Sequence, residues 1–140
     1  RLLKKFHTAA TLVPGPVIEK AAKKTKYGVI HFGSTGPAMD EAAVHLARQG
    51  IHVDVCRVRG FPFSSEVIDF IGAHDEVFVV EQNRDAQLRS LLMIENNISP
   101  MKLTSILYFE GPPITARFIA SAISERIAGA PARVKEKALS

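Results

Sequence analysis

Two short loops carry most of the residues whose types and spacing could do chemistry. Gly33-Ser34-Thr35-Gly36-Pro37 follows the apolar run Tyr27–Phe32, and Glu81-Gln82-Asn83-Arg84 follows Val77–Val80. A glycine loop between a strand and a helix can cradle a phosphate, because backbone N–H groups point outward where a helix begins. Ser34, Thr35 and Gly36 are therefore candidate anion contacts. Arg57 and Arg59 join them, since guanidinium groups suit a carboxylate or phosphate, with an ordinary exposed arginine pair as the alternative. The loop lacks the lysine of a P-loop, and Gly33 and Gly36 alone do not make the dinucleotide fingerprint. Glycines at a tight strand-to-helix turn are also what backbone geometry demands, so both readings stand. Glu81 poses the same choice. It could act as a general base or cofactor anchor in a crevice, or hold loop N–H groups at a helix start, as Asn83 can by capping.

The remaining reactive side chains offer less. His31 lies within an apolar strand and reads as a satisfied core residue. His52 and Cys56 fall on one strand face, but four residues of strand put them about 13 Å apart, too far to share a metal ion. A single cysteine, Cys56, excludes an intrachain disulfide and a Cys-ligated zinc or iron–sulfur site built from this chain alone. It also suggests a reducing, cytoplasmic setting. No His-Glu-x-x-His pattern and no Gly-x-Ser-x-Gly elbow occurs. Asn97-Ile98-Ser99 matches a glycosylation sequon, which the following Pro100 and the reducing setting make a false positive.

The elements that must position these loops follow from hydrophobic period. Tyr27–Phe32 and Val77–Val80 are continuous apolar runs, as expected of strands covered on both faces. Ile51–Val58 alternates, and Leu103–Tyr108 is half polar, so both predict strands nearer the sheet edges. Helical spacing links Met39, Ala42, Ala43 and Leu46, with Ser34 or Thr35 as cap and Gly50 as stop. Further helices are predicted from Ser64 or Ser65 through Ile71, from about Arg84 to Glu95 capped by Asn83, and through Phe118–Ile127. Strands alternating with helices predict right-handed βαβ crossovers and a parallel sheet with helices on both faces. Burial places the strands in the order 2-1-3-4, numbered along the chain, which is a doubly wound α/β arrangement. Its switch point falls between the first and third strands, where the two loops above would meet.

Residues 1–26 read as a linker, with a strand near Thr8–Val13 and a short helix from Val17 to Lys24 after Pro14-Gly15-Pro16. Residues 27–129 form the domain, and 130–140 a polar, frayed tail. The initial Arg1 suggests a fragment. The net charge of +4 belongs to the ends: the Tyr27–Gly129 body holds eight basic and twelve acidic residues. That argues against a nucleic-acid surface, which needs a basic stripe on the folded domain. No apolar run approaches the ~20 residues of a membrane span.

The ordered segments Tyr27-Gly-Val-Ile-His-Phe-Gly-Ser-Thr-Gly-Pro-Ala-Met-Asp-Glu-Ala, Gly50-Ile-His-Val, Phe61-Pro-Phe and Val79-Val-Glu-Gln-Asn, then Gln87-Leu and Leu91-Leu92, resemble a known family. It is the transketolase C-terminal-like domain in the alpha subunit of 2-oxoacid:ferredoxin oxidoreductases, on the 2-oxoglutarate branch. The resemblance covers Tyr27 to Ile114 and is strongest at Glu81-Gln82-Asn83 with Gln87. It implies a three-layer α/β/α fold with a mostly parallel sheet of four to five strands. The fifth would be an antiparallel edge strand, which Thr8–Val13 could supply. It implies a parent enzyme that uses thiamine diphosphate, Mg²⁺, an iron–sulfur cluster and coenzyme A, and passes electrons to ferredoxin. Within that parent this segment would be a non-catalytic docking domain against the remaining alpha-subunit domains and the beta subunit. Gly33, Ser34, Glu41, Glu81, Asn83 and Gln87 match the family pattern, which implies interface or loop-organising roles for them. Phe61 and Phe63, with Phe109, are the large apolar loop residues expected to form the docking patch. Such a patch could also drive an isolated fragment into a homodimer. The other reading is an autonomous nucleotide- or phosphate-binding domain built on the Gly33–Gly36 loop.

Overall fold

The computed structural model describes residues 12–129 and 134–135. The chain runs β1 (Val17–Glu19), β2 (Tyr27–Phe32), a 3₁₀ turn (Gly33–Thr35), α1 (Gly36–Arg48), β3 (Asp54–Val58), α2 (Ser65–Gly72), β4 (Glu76–Glu81), α3 (Gln87–Asn96), a second 3₁₀ turn (Pro100–Lys102), β5 (Leu103–Tyr108), α4 (Ala116–Ile127) and β6 (Val134–Lys135). The sheet order is β1-β3-β2-β4-β5-β6, with β1 antiparallel to β3 and every other pair parallel. Its four inner strands take the order that burial predicts. The two continuous apolar runs, β2 and β4, are neighbours at the centre. Each needs a helix layer on either face, because its side chains are apolar in both directions.

Those layers make two cores. On one face α1 and α4 pack through Met39, Leu46, Phe118, Ile119 and Ile123 over Val29, Val55, Phe78, Val80 and Ile106. On the other, α2 and α3 pack Val67, Phe70, Ile71, Leu88 and Leu92 over Ile30, Cys56, Val77, Val79 and Leu103. Adjacent strand residues divide between the two clusters, as the two-residue strand period requires.

Several boundaries differ from expectation. Val17–Glu19 is a strand where a short helix is predicted, and it supplies the antiparallel edge assigned above to Thr8–Val13. Thr8–Thr11 lie outside the described residues, and Leu12 and Val13 are not in a strand. Two prolines at 14 and 16 hold the chain extended into the short edge pairing, and proline is tolerated beside an edge strand. The expected polar tail contains β6, paired in parallel with Leu107 and Tyr108. Helix α3 begins at Gln87, three residues beyond the predicted Arg84, because Ala86 adopts a left-handed conformation just before it (φ 51°). Strand β3 is buried on both faces except at Arg57, since β1 covers its outer edge.

Candidate functional site

The carboxyl ends of β2, β3 and β4 bring the two loops together. Gly33 takes a positive φ of 64° and turns the chain out of β2 into the 3₁₀ turn, a conformation that glycine adopts without steric cost. Neither Ser34 nor Thr35 caps α1 with its side chain, contrary to expectation. Their hydroxyl oxygens instead accept from Gln82 Nε2, each at 3.1 Å. Gln82 therefore ties the end of β4 to the glycine loop across the switch point. Its role was not legible in the sequence, where it is one amide between two more suggestive neighbours.

Glu81 is fully buried at the end of β4. Its Oε1 accepts from Leu88 N (2.6 Å) and Asn83 Nδ2 (2.9 Å), and its Oε2 from Arg89 N (3.2 Å). The carboxylate thus satisfies backbone donors left open in the first turn of α3, where the helix dipole also favours negative charge. Asn83 Oδ1 accepts from the backbone N–H groups of Asp85 and Gln87, at 3.1 and 3.3 Å. With three donors on it and no exposed surface, Glu81 is placed to hold the loop. A general base would need an open lone pair facing a substrate.

Beside these loops lies an open groove of about 700 Å³. Phe32, Gly33 and Pro14 form one part of its lining. The end of β3 contributes Val58, the β3–α2 connection Gly60, Phe61 and Phe63, and α3 Gln87, Leu88 and Leu91. Phe32, Phe61 and Leu91 remain 41, 47 and 41% exposed, large values for apolar side chains clustered at one place. Phe61 and Phe63 meet edge to face with centroids 5.5 Å apart, and the Phe61–Pro62 peptide bond is cis. Phe63 also packs against the α2/α3 core, whereas Phe61 is the more exposed of the two. Phe109, the third phenylalanine expected in the patch, does not line the groove.

Arg57 and Arg59 stand on the rim. Arg57 is the exposed residue within β3, and Arg59 follows the strand. Arg59 Nε donates to the Gly15 carbonyl at 2.6 Å, which pins that guanidinium over the rim. Arg57 also approaches the start of α1: a Cβ added at Gly36 would lie 3.9 Å from its Cζ. Glu41 sits apart on α1, 3.4 Å from His45 Nε2, outside the groove.

Two buried histidines complete the picture. His31 is only 2% exposed, and its Nδ1 has no hydrogen-bond partner, so it is a core residue but not a satisfied one. Burial, together with the Arg57 charge, lowers its pKa to about 4 against the weaker pull of Asp40. His74 and Asp54 form a buried pair, Nε2 to Oδ2 at 2.8 Å, while His74 Nδ1 lies 2.7 Å from the Phe70 carbonyl. Asp54 also accepts from Ala21 N at 2.7 Å and faces Lys20 at 3.6 Å. Burial opposes its ionisation, but the Ala21 N–H, the His74 ring and the Lys20 ammonium outweigh that and hold its pKa below the ordinary value. The pair lies at the opposite end of β3 from the groove. In the sequence Asp54 shows only as one polar position in the alternating run Ile51–Val58.

The described residues include no group of three His, Cys, Asp or Glu side chains that could hold a metal ion. Cys56 is buried, and burial with the nearby Glu66 raises its thiol pKa to about 12, so it is no thiolate ligand or nucleophile. These donors fit neither a magnesium diphosphate nor an iron–sulfur cluster. Among the described residues no helix is long and apolar enough to cross a membrane.

No family model matches the sequence, and no curated protein matches it either. Solved structures do. A 2-oxoglutarate:ferredoxin oxidoreductase from Magnetococcus marinus, with 2-oxoglutarate, coenzyme A and succinyl-CoA bound, matches 86% of this chain with a TM-score of 0.74 and 22% identity. The inactive beta4 tetramer of a split-gene transketolase matches 81% with a TM-score of 0.64 and 15% identity, over 41% of its own chain. The alpha chain of a probable 2-oxoacid ferredoxin oxidoreductase from Thermoplasma acidophilum matches 81% with a TM-score of 0.54 and 21% identity. The present chain spans 21% of the Magnetococcus chain but 97% of the Thermoplasma one. At these identities the likeness shows the fold, and the fold is that of a transketolase C-terminal-like domain.

Proposed function

We propose that this chain is a docking domain of a thiamine-diphosphate-dependent 2-oxoacid:ferredoxin oxidoreductase alpha subunit, working in the cytoplasm. The parent enzyme would convert 2-oxoglutarate or a related 2-oxoacid to its acyl-CoA and pass the electrons to ferredoxin. Thiamine diphosphate, Mg²⁺, coenzyme A and the iron–sulfur cluster would be held by other domains and the beta subunit. The observation that carries the reading is the groove, where three large apolar side chains stay exposed beside loops whose own polar groups are used internally. Exposed apolar patches of this kind mark surfaces that a partner covers. Glu81 with Asn83, and Gln82 with Ser34 and Thr35, tie down the loops beside this face, which would limit the ordering cost of docking.

The reading of the glycine loop as an autonomous phosphate site is less well supported. Thr35 is buried, Gln82 donates to both hydroxyl oxygens of the loop and so ties it to the end of β4, and the loop lacks the lysine of a P-loop.

The test is to place Phe61→Asp and Leu91→Asp in the parent subunit and follow assembly by sedimentation. Assembly is expected to weaken at least about tenfold, as for loss of a buried interface anchor. The unfolding midpoint of the isolated chain should stay near wild type. Phe63→Asp is a poorer probe, because Phe63 also packs on the core. Normal assembly of the double variant would overturn the docking role.

A further inference from the structure

The groove is apolar along its floor and cationic at its rim, and its lining contains no acidic residue. This runs against the rest of the folded body, where Tyr27–Gly129 holds twelve acidic residues against eight basic ones. Among the described residues Arg57 has no hydrogen-bond or ion-pair partner, and Arg59 has only the Gly15 carbonyl. Arg59 follows the end of β3 at the rim of the floor made by Phe32, Val58, Phe61 and Leu91, and Arg57 borders that floor from the α1 side of the strand, where it also lines a smaller cleft with Glu19, His31 and Asp40.

From this juxtaposition we infer that the groove recognises a carboxylate bracketed by large apolar side chains, on an amphipathic segment of the parent enzyme. The inference rests on the docking reading and specifies what the docked surface must present. A guanidinium is the side chain best matched to a carboxylate, through paired N–H donors. Partial desolvation by Phe32, Phe61 and Leu91 would strengthen that contact relative to one in open water. The apolar side chains of the segment would fill the floor between α3 and the β3–α2 connection. The groove volume lies within the roughly 300–1,000 Å³ of ordinary binding clefts, enough for a few side chains. The Gln87 amide on the α3 side adds a neutral donor or acceptor. Charge at the rim would then set register and partner choice, and the floor would supply most of the affinity.

The test uses the full chain with ¹⁵N labelling and three soluble peptides. One presents Leu-Glu-Leu-Phe on a helical face, and the other two replace its Glu by Gln or Lys. The Glu peptide is expected to shift the amides of Gly60, Gln87 and Leu91, and to bind at least about tenfold more tightly than the Gln peptide. Arg57→Glu should remove that preference and confer binding to the Lys peptide, while Arg57→Gln removes the preference with the unfolding midpoint kept. Equal binding of the Glu and Gln peptides would overturn carboxylate recognition and leave the docking role intact. Absence of groove shifts with all three would overturn the proposed occupant. So would self-association abolished by Leu91→Asp, which would make the occupant a second copy. One-to-one shifts of the same amides by succinate or coenzyme A would make the groove a small-molecule site instead. The docking role itself fails only in the separate assembly experiment with Phe61→Asp and Leu91→Asp.

Discussion

The two ends of β3 solve opposite problems with the same strand. At its amino end Asp54 is enclosed by His74, the Ala21 N–H and Lys20, and the neighbouring glycine on β2, Gly28, leaves no room for a side chain. At its carboxyl end Arg57 and Arg59 border a groove with exposed Phe32, Phe61 and Leu91, and Gly33 stands in open space. One end is closed and its polar groups are satisfied; the other has its loops tied together but its apolar surface left open. Buried polar groups left without partners are costly, so a fold that spends its hydrogen bonds at one end can leave cations and apolar surface at the other only where water or a partner reaches them. The contrast separates residues that hold the domain together from those available for recognition.

The largest effect should come from breaking the closed end. Asp54→Ala leaves His74 buried without its carboxylate and frees the Ala21 N–H that anchors the chain after β1. A loss of about 3–5 kcal/mol is expected, in the range for removing one member of a buried pair, read from the midpoint of urea unfolding. A change below about 1 kcal/mol would mean that the pair is not the closed unit described here.

Acid should attack the two ends in different windows. His31, near the open end, has its pKa lowered from 6.5 to about 4 in the folded chain, so the unfolded chain binds the proton more readily. Stability is fully present above pH 6.5 and falls as the pH drops toward 4, by on the order of 3 kcal/mol. His31→Leu should flatten that window while changing stability little at neutral pH, since it also removes the unpartnered Nδ1. Asp54 acts lower: its depressed pKa gives stability above the ordinary 3.8 that is lost below it. An unfolding profile in which His31→Leu still loses stability between pH 6.5 and 4 would assign that window to another group.

The glycines sharpen the same contrast at smaller scale. A Cβ at Gly28 would stand 2.8 Å from Phe70 Cε1 and 3.1 Å from His74 Cγ, so Gly28→Ala should cost about 1–3 kcal/mol through overpacking. At Gly33 nothing lies within 4 Å, and Gly33→Ala should cost only the roughly 1–2 kcal/mol of a left-handed backbone. Thermal unfolding of the two variants gives the comparison directly.

Much of this architecture was legible because hydrophobic period reports burial. The continuous runs Tyr27–Phe32 and Val77–Val80 located the central strands, and their half-polar neighbours gave the inner order. Period says nothing of three-residue edges, so β1 was read as a helix following prolines, and β6 was hidden in a polar tail. Conformation at single residues was equally invisible: the left-handed Ala86 delays α3, and no propensity marks alanine for that role. The two candidate loops were found by residue type, but the bond that joins them is made by Gln82, whose partners lie 47 and 48 positions away. The groove was partly legible through Phe61. Phe32 and Leu91 were counted toward strand and helix, and only the ends of those elements show that their side chains emerge together.

The smallest effect is expected at Arg57, and it decides what the open end is for. Arg57 has no ion pair to lose, and its charge lies close enough to His31 to help depress that pKa. Arg57→Gln should therefore leave stability at neutral pH within about 0.5 kcal/mol of wild type, as for an exposed substitution. It should also raise the His31 pKa slightly, because a repulsive charge is removed, and so shift the acid loss of stability to a narrower window. Burial, the larger cause, would remain. A neutral-pH loss like that of Asp54→Ala would make Arg57 a structural residue and close the comparison in favour of two satisfied ends. Unchanged stability at neutral pH, with ring-nitrogen NMR showing His31 titrating at a higher pH, would leave the guanidinium free to meet a partner.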